Sequence, residues 1–259
     1  MTALLLDIGN SRLKWGVLEN DTVGDTGHVP LQDFAHDNAL AASGLPNQVQ
    51  SAIACNVAGT EVAAALAEFI DSNFGVSTRF VQPSAAACGV QNGYREPASL
   101  GIDRWVALVA ARARTSSACL VVDAGTAITI DAMDPNGVHL GGQILPGLKL
   151  MAHALNRNTG DLPAISTSSW RDSCLDEPFA AATPAAISNG ILAAVLGAIE
   201  RGLQSMQAGN ADVNLILTGG DADLVQRNLP VSAELCPHLV LEGLACLAAD
   251  EPGYSSGYW

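Results

Sequence analysis

The sequence predicts an α/β protein made of two related halves, each opening with an Asp-x-Gly β-hairpin. Two observations carry this reading. The stretch Leu4-Leu5-Leu6-Asp7-Ile8-Gly9-Asn10-Ser11 has a counterpart near the middle of the chain, Leu120-Val121-Val122-Asp123-Ala124-Gly125-Thr126-Ala127. Each is an apolar run of strand length ending in Asp-x-Gly and a small polar residue, and each leads into more strand-like sequence, at 13–18 and 128–133. A glycine between two such runs reads as a tight turn, supplying either a φ > 0 position or a close backbone approach. A boundary at 115–117, just ahead of the second unit, divides the chain into halves 1–116 and 117–259.

The first half reads as a three-strand meander at 4–9, 13–18 and 22–29. The segment 30–48 is rich in Asp, Asn and Gly and predicts a loop with a short helix. A strand at 51–57 precedes a helix over 60–73, with Val62, Leu66, Phe69 and Ile70 on one face, and a short strand follows at 78–81. The stretch 90–101 carries Tyr94, Arg95 and Pro97 without periodicity and reads as a loop entering a helix near Ile102. Its Trp, Val, Leu and Ala content predicts a buried helix with an exposed arginine edge, Arg104 to Arg114.

The second half repeats the meander at 118–123, 126–133 and 138–145, with Asp134-Pro135-Asn136-Gly137 as the turn between the last two strands. Pro146-Gly147 ends the sheet and a helix starts over 148–155, while 156–176 reads as a polar, mobile loop. Thr183-Pro184 predicts a cap and first-turn proline for a long helix reaching about Met206. Ala193, Ala194, Gly197 and Ala198 would let that helix pack closely on another, including one from a second copy of the chain. A strand at 213–218, a Gly219-Gly220-Asp221 helix start and a terminal helix over 239–249 complete the half, and the tail 251–259 is expected to be poorly ordered.

A meander followed by helices, used twice, matches the duplicated actin-like ATPase (ribonuclease H-like) architecture. A Rossmann fold would take a Gly-rich turn from strand directly into helix. Here each glycine leads into another strand, which disfavours it.

Composition narrows the function. At 259 residues, 49% hydrophobic and 15% charged, the chain can bury a sizeable core. A formal charge of -14 with no Lys/Arg run argues against nucleic acid or an anionic membrane as partner. ATP remains compatible, because a local loop and a metal ion can supply the positive field. Cys55, Cys88, Cys119, Cys174, Cys236 and Cys246 are scattered with no Cys-x-x-Cys pair, as expected of reduced thiols in a cytoplasmic protein. The N-terminus has no basic n-region and carries Asp7 where a signal core would lie, and the longest apolar run, 191–199, is too short to span a bilayer. The five histidines form no metal pattern, and no Gly-x-Ser-x-Gly elbow supports a serine hydrolase.

Five stretches can carry chemistry. In Asp7-Ile8-Gly9-Asn10-Ser11-Arg12-Leu13-Lys14 the turn exposes backbone N–H groups to an anion and Asp7 is a hard oxygen ligand for a cation. Arg12 and Lys14 share a strand face, where they either reach phosphate or stand as solvated edge charges. Asp123-Ala124-Gly125-Thr126 repeats the pattern, with Asp123 able to bind a cation and Thr126 to donate to a phosphate. Gly101-Ile102-Asp103-Arg104 is either a helix-start Asp with a surface Arg, or a general base beside an anion-binding guanidinium. Gly141 to Gly147 permits a ligand or a neighbouring backbone to approach, or is a structural turn. Thr218-Gly219-Gly220-Asp221 is a glycine-rich strand–helix turn.

In this order the five stretches resemble the type III pantothenate kinases, bacterial members of the acetate and sugar kinase, Hsp70 and actin superfamily. The most specific match is Asp-x-Gly-Asn-Ser-x-x-Lys followed by Gly-x-Asp-Arg. The resemblance implies transfer of the γ-phosphate of ATP to the primary hydroxyl of pantothenate, giving 4'-phosphopantothenate in the first step of coenzyme A synthesis. It implies a divalent cation such as Mg²⁺, a monovalent cation, K⁺ or NH₄⁺, and a homodimer with the substrate pocket near the subunit interface. Residues 7 to 14 would bind ATP phosphates, with Asp7 near Mg²⁺; Thr126 would contact ATP and Asp123 would hold the monovalent ion. Asp103 would be the catalytic base, and Tyr94, Gly101, Ile102, Arg104 and Thr183 would line the pantothenate site. Thr183 can serve as a helix cap as well. Two other functions compete: a kinase for another small hydroxylated substrate, and a non-catalytic nucleotide-binding regulator.

Overall fold

The computed structural model describes residues 2–34, 39–160, 162–165, 170, 178–208 and 212–250. Its first sheet runs β1 (Thr2–Ile8), β2 (Arg12–Glu19), β3 (Thr22–Pro30), β4 (Ser51–Asn56) and β5 (Thr78–Phe80), in the spatial order β3-β2-β1-β4-β5. The meander is antiparallel, and β4 then pairs parallel to β1 and β5 parallel to β4. A two-stranded ribbon, β6 (Ala86–Ala87) with β7 (Val90–Gln91), precedes the second sheet. That sheet holds β8 (Ala118–Ala124), β9 (Ala127–Met133), β10 (His139–Pro146), β11 (Val213–Thr218) and β12 (Glu234–Leu235), in the order β10-β9-β8-β11-β12. The two sheets have one topology: the strand carrying the first Asp of each repeat is central, its hairpin partner lies on one side, and a parallel strand lies on the other.

Central strands are covered on both faces, so they read as near-continuous apolar runs rather than alternating ones. In β1, Leu4, Leu6 and Ile8 pack with Leu66 and Ile70 of the helix Thr60–Phe74, while Leu5 is equally buried on the opposite face. In β8, Leu120, Val122 and Ala124 share a core with Ile191, Leu192, Val195 and Ile199. Those four lie on the helix Thr183–Gln207, which by length and composition alone could cross a membrane. Its apolar stripe is instead part of this unit's core, the arrangement of a core helix in a globular unit.

Among the described residues the chain forms two compact units, one drawn from 2–114, 137–139 and 238–250 and the other from 115–136 and 140–237. The second unit begins at Thr115. The terminal helix Leu239–Ala249 belongs with the first unit, although the sequence assigned it to the second half. The reason is steric fit. A Cβ on Gly243 would stand 2.0 Å from the carbonyl oxygen of Val106, so glycine lets this helix lie directly against the helix Ile102–Arg114. Arg79 donates to the Leu247 carbonyl at 3.2 Å, and Arg114 pairs with Glu242 at 2.6 Å. Being partly exposed, that ion pair adds little to stability.

The helix after β10 runs Leu148–Asn158, three residues beyond the expected end. Much of the expected loop 156–176, and the tail 251–259, lie outside the described residues.

Candidate active site

The first unit gathers Asp7, Lys14, Tyr94, Asp103 and Arg104. Gly9 donates its N–H to the Arg12 carbonyl at 3.0 Å and so closes the β1–β2 turn, and Asn10, Ser11 and Arg12 are exposed along it. Neither Gly9 nor Gly125 has a positive φ. Their use is closeness, with an added Cβ on Gly9 only 3.3 Å from the Arg12 carbonyl oxygen. Asp7 and Lys14 are opposite one another in register, and Lys14 Nζ lies 3.7 Å from Asp7 Oδ2. Leu13 turns into the core, whereas Arg12 points to solvent at the strand edge.

Asp7 is buried, at 8% exposure. Burial raises its carboxyl above the usual value of 3.8, the neighbouring Asp103 charge adds to the rise, and Lys14 and Cys55 oppose it. The Cys55 thiol donates to Asp7 Oδ1 at 3.4 Å. Burial, with Asp7 alongside, pushes that thiol well above its usual 9.0, which keeps it protonated and able to donate. Cys55 is a site residue that sequence reasoning missed. It meets Asp7 only because β4 pairs parallel to β1 with Asp7 opposite Cys55, 48 residues away.

Asp103 sits in the first turn of the helix Ile102–Arg114, partly exposed, and its Oδ1 accepts the backbone N–H of Arg104 at 2.9 Å. A Cβ on Gly101 would come within 2.8 Å of that same oxygen, so the glycine before the helix leaves the carboxylate its space. Ile102 is buried beneath it. Arg104 corrects the expected exposed arginine edge. It is 6% exposed, its Nη1 donates to the Tyr94 hydroxyl at 2.8 Å, and its guanidinium carbon is 5.5 Å from the Tyr94 ring centroid. The side chain is fixed by an aromatic partner that has no sequence periodicity to announce it.

The second unit joins three of the Gly-rich stretches. Asp123 is the penultimate residue of β8, partly exposed, opposite buried Thr218 of β11, and Thr126 lies exposed in the β8–β9 turn. Gly147 donates its N–H to the Thr126 carbonyl at 2.9 Å, and Asp221 donates to the Ala124 carbonyl at 3.0 Å. Gly219 has φ +95°, and a Cβ there would stand 2.4 Å from Asp123 Oδ1 and 2.5 Å from the Ala124 carbonyl. A side chain at this position would therefore fill the cradle around the carboxylate. Gly219→Ala combines a left-handed backbone with this clash. It should lower the melting temperature by about 2–12 °C, read by thermal denaturation.

Thr183 is the first residue of its helix, and Ala182 is the cap, with no side-chain cap bond. The capping role expected for Thr183 is thus replaced by an exposed first-turn position.

A donor set of carboxylates and backbone carbonyls suits hard cations. Among the described residues no group of three or more His, Cys, Asp or Glu could hold a metal. Mg²⁺ takes one or two carboxylates and otherwise waters and substrate phosphates. Asp7 could hold such an ion, and the Asp123 cradle a monovalent one.

The model of the family described as type III pantothenate kinase matches residues 3–205. The type III pantothenate kinase of Alkalilimnicola ehrlichii is 41% identical over 252 residues, covering 95% of this chain and 98% of its own. Two solved structures share the fold. A conserved Campylobacter jejuni protein assigned to the Baf family of transcriptional activators aligns with TM-score 0.58 and 24% identity over 93% of this chain and 94% of its own. A Sinorhizobium meliloti protein assigned as a 2-dehydro-3-deoxygalactonokinase aligns with TM-score 0.55 and 18% identity, over 95% and 98%. The architecture is that of the actin-like ATPases and sugar kinases.

Proposed function

The chain belongs to the type III pantothenate kinase family and phosphorylates pantothenate with ATP in the first step of coenzyme A biosynthesis, and we propose that Asp103 is the general base of that transfer. The observation that carries the assignment is the first-turn carboxylate of Asp103, with Oδ1 held by the Arg104 N–H and the Arg104 guanidinium braced on Tyr94. Phosphoryl transfer asks the protein mainly to place the acceptor hydroxyl in line and to neutralise phosphate charge, with the proton leaving late. Asp103 would accept that proton. Arg104, with Gly101, Ile102 and Tyr94, would hold pantothenate, whose carboxylate is the natural partner for a guanidinium. The turn from Asp7 to Lys14 would bind ATP phosphates through its N–H groups and cationic side chains, with Thr126 as a further contact.

Mg²⁺ beside Asp7 would neutralise phosphate charge when bound, and K⁺ or NH₄⁺ would sit at Asp123. The test is ADP release from ATP and Mg²⁺, with and without pantothenate, in potassium and then sodium buffer. Pantothenate-dependent release that collapses in sodium supports both the reaction and the monovalent site. Release that ignores pantothenate points to another acceptor, and bound ATP without release points to a nucleotide-binding regulator.

A homodimer is part of this reading. On the helix Thr183–Gln207, Ala193, Ala194 and Gly197 are exposed, and a Cβ on Gly190 or Gly197 would meet nothing within 4 Å. Leu140, Ile144 and Leu150 are also 52% exposed or more, in the same unit. Exposed small residues on a helix suit close helix packing across a two-fold axis, and exposed aliphatic residues elsewhere in the unit are compatible with a covered surface; Thr183 at the start of this helix would then serve a pantothenate site near the interface. Light scattering should give twice 26.6 kDa; a monomer at micromolar concentration would count against the dimer. The reaction draws on ATP, so we place it in the cytoplasm.

A further inference from the structure

His139 opens β10, is 1% exposed, and lies face to face with Tyr94, the ring centroids 5.6 Å apart and the planes 18° from parallel. Three backbone features hold this contact. Gln91 donates its N–H to the Gly137 carbonyl at 2.9 Å, Gln91 and Val138 form a parallel bridge, and a Cβ on Gly93 would stand 1.7 Å from the His139 carbonyl oxygen. Gly93 thus lets the turn before Tyr94 lie directly on the His139 backbone. The hydroxyl end of Tyr94 meets Arg104, which donates to it at 2.8 Å.

We propose that His139 is a positioning residue for the pantothenate site: its ring holds Tyr94 in the orientation that fixes the Arg104 guanidinium. This rests on the reading above, in which Tyr94 and Arg104 line that site. The physical need is clear. Tyr94 leaves a segment without regular structure, and a long arginine side chain loses much rotamer freedom when it grips a carboxylate. Stacking Tyr94 on a buried ring orders both groups before substrate arrives, so less ordering is charged to binding. The consequence falls on pantothenate affinity, because His139 acts on the acceptor site through Tyr94.

Steady-state kinetics of His139→Ala should show a pantothenate KM raised about threefold to tenfold, the size of one lost aromatic contact. The kcat and the KM for ATP should stay within about twofold. His139→Phe, which keeps a ring against Tyr94, should restore the pantothenate KM, whereas His139→Leu, which fills space without a ring face, should not. If the Ala variant does not fold, His139→Gln takes its place with the same expectation. An unchanged pantothenate KM in H139A, or rescue by Leu equal to that by Phe, would overturn the proposal. Tyr94→Ala and Arg104→Gln separate the two levels. If both raise the pantothenate KM while H139A does not, His139 has no such role. If neither raises it, the placement of the pantothenate site fails and takes the proposal with it.

Discussion

Asp103→Asn is expected to turn over about 100- to 10,000-fold more slowly than the wild-type enzyme while ATP still binds. The substitution is conservative in shape. The amide oxygen can still accept the Arg104 N–H that Asp103 Oδ1 accepts at 2.9 Å, so the helix start and the braced Arg104 stay in place. What disappears is the ability to take a proton. A loss confined to kcat, measured by ADP release alongside ATP binding by calorimetry, is the signature of a group used in the transition state. Near-normal turnover would remove Asp103 from the role of base. A fall in ATP affinity of the same size as the fall in turnover would make it a binding residue instead.

Asp7→Asn should have opposite effects on activity and stability. Activity should fall by roughly two orders of magnitude or more, since the carboxylate that would stand beside the metal and phosphates is gone. Melting temperature at neutral pH, without nucleotide or metal, should rise. The sign follows from the carboxyl itself, which burial holds above 3.8 in the folded state. A folded-state value above the unfolded one means the native fold binds the proton more tightly. The stability this contributes is complete below the unfolded value and is lost as pH rises through the folded one. At neutral pH the native state therefore carries a destabilising buried charge that Asn lacks. The gain in melting temperature should shrink as the pH falls through the folded-state value and vanish below the unfolded value of about 3.9, where Asp7 is protonated in both states. A variant less stable than wild type at neutral pH would mean that the Lys14 and Cys55 contacts outweigh burial.

The sequence by itself determined the duplication, because a strand period and a glycine turn are local properties. Residues 4–8 and 120–124 must be buried on two faces, and Gly9 and Gly125 must each pass the chain into a second strand. It likewise marked Asp7, and it marked Asp103 and Asp123, whose neighbours in the chain, Gly101 and Gly125, leave their carboxylates space that a Cβ would crowd. What it left out depends on partners far along the chain. Cys55 reaches Asp7 through strand pairing, Arg104 is buried by a tyrosine in an aperiodic loop, and His139 stacks on Tyr94 from 45 residues away. The terminal helix shows the same divide: eleven mostly apolar residues specify a buried helix, but not which core receives it. That was decided by Gly243, where the absence of a side chain lets one backbone lie against the Val106 carbonyl of another helix. Periodicity is written in neighbouring residues and can be read from them; close approach is a property of two surfaces, and exists only once the chain has brought them together.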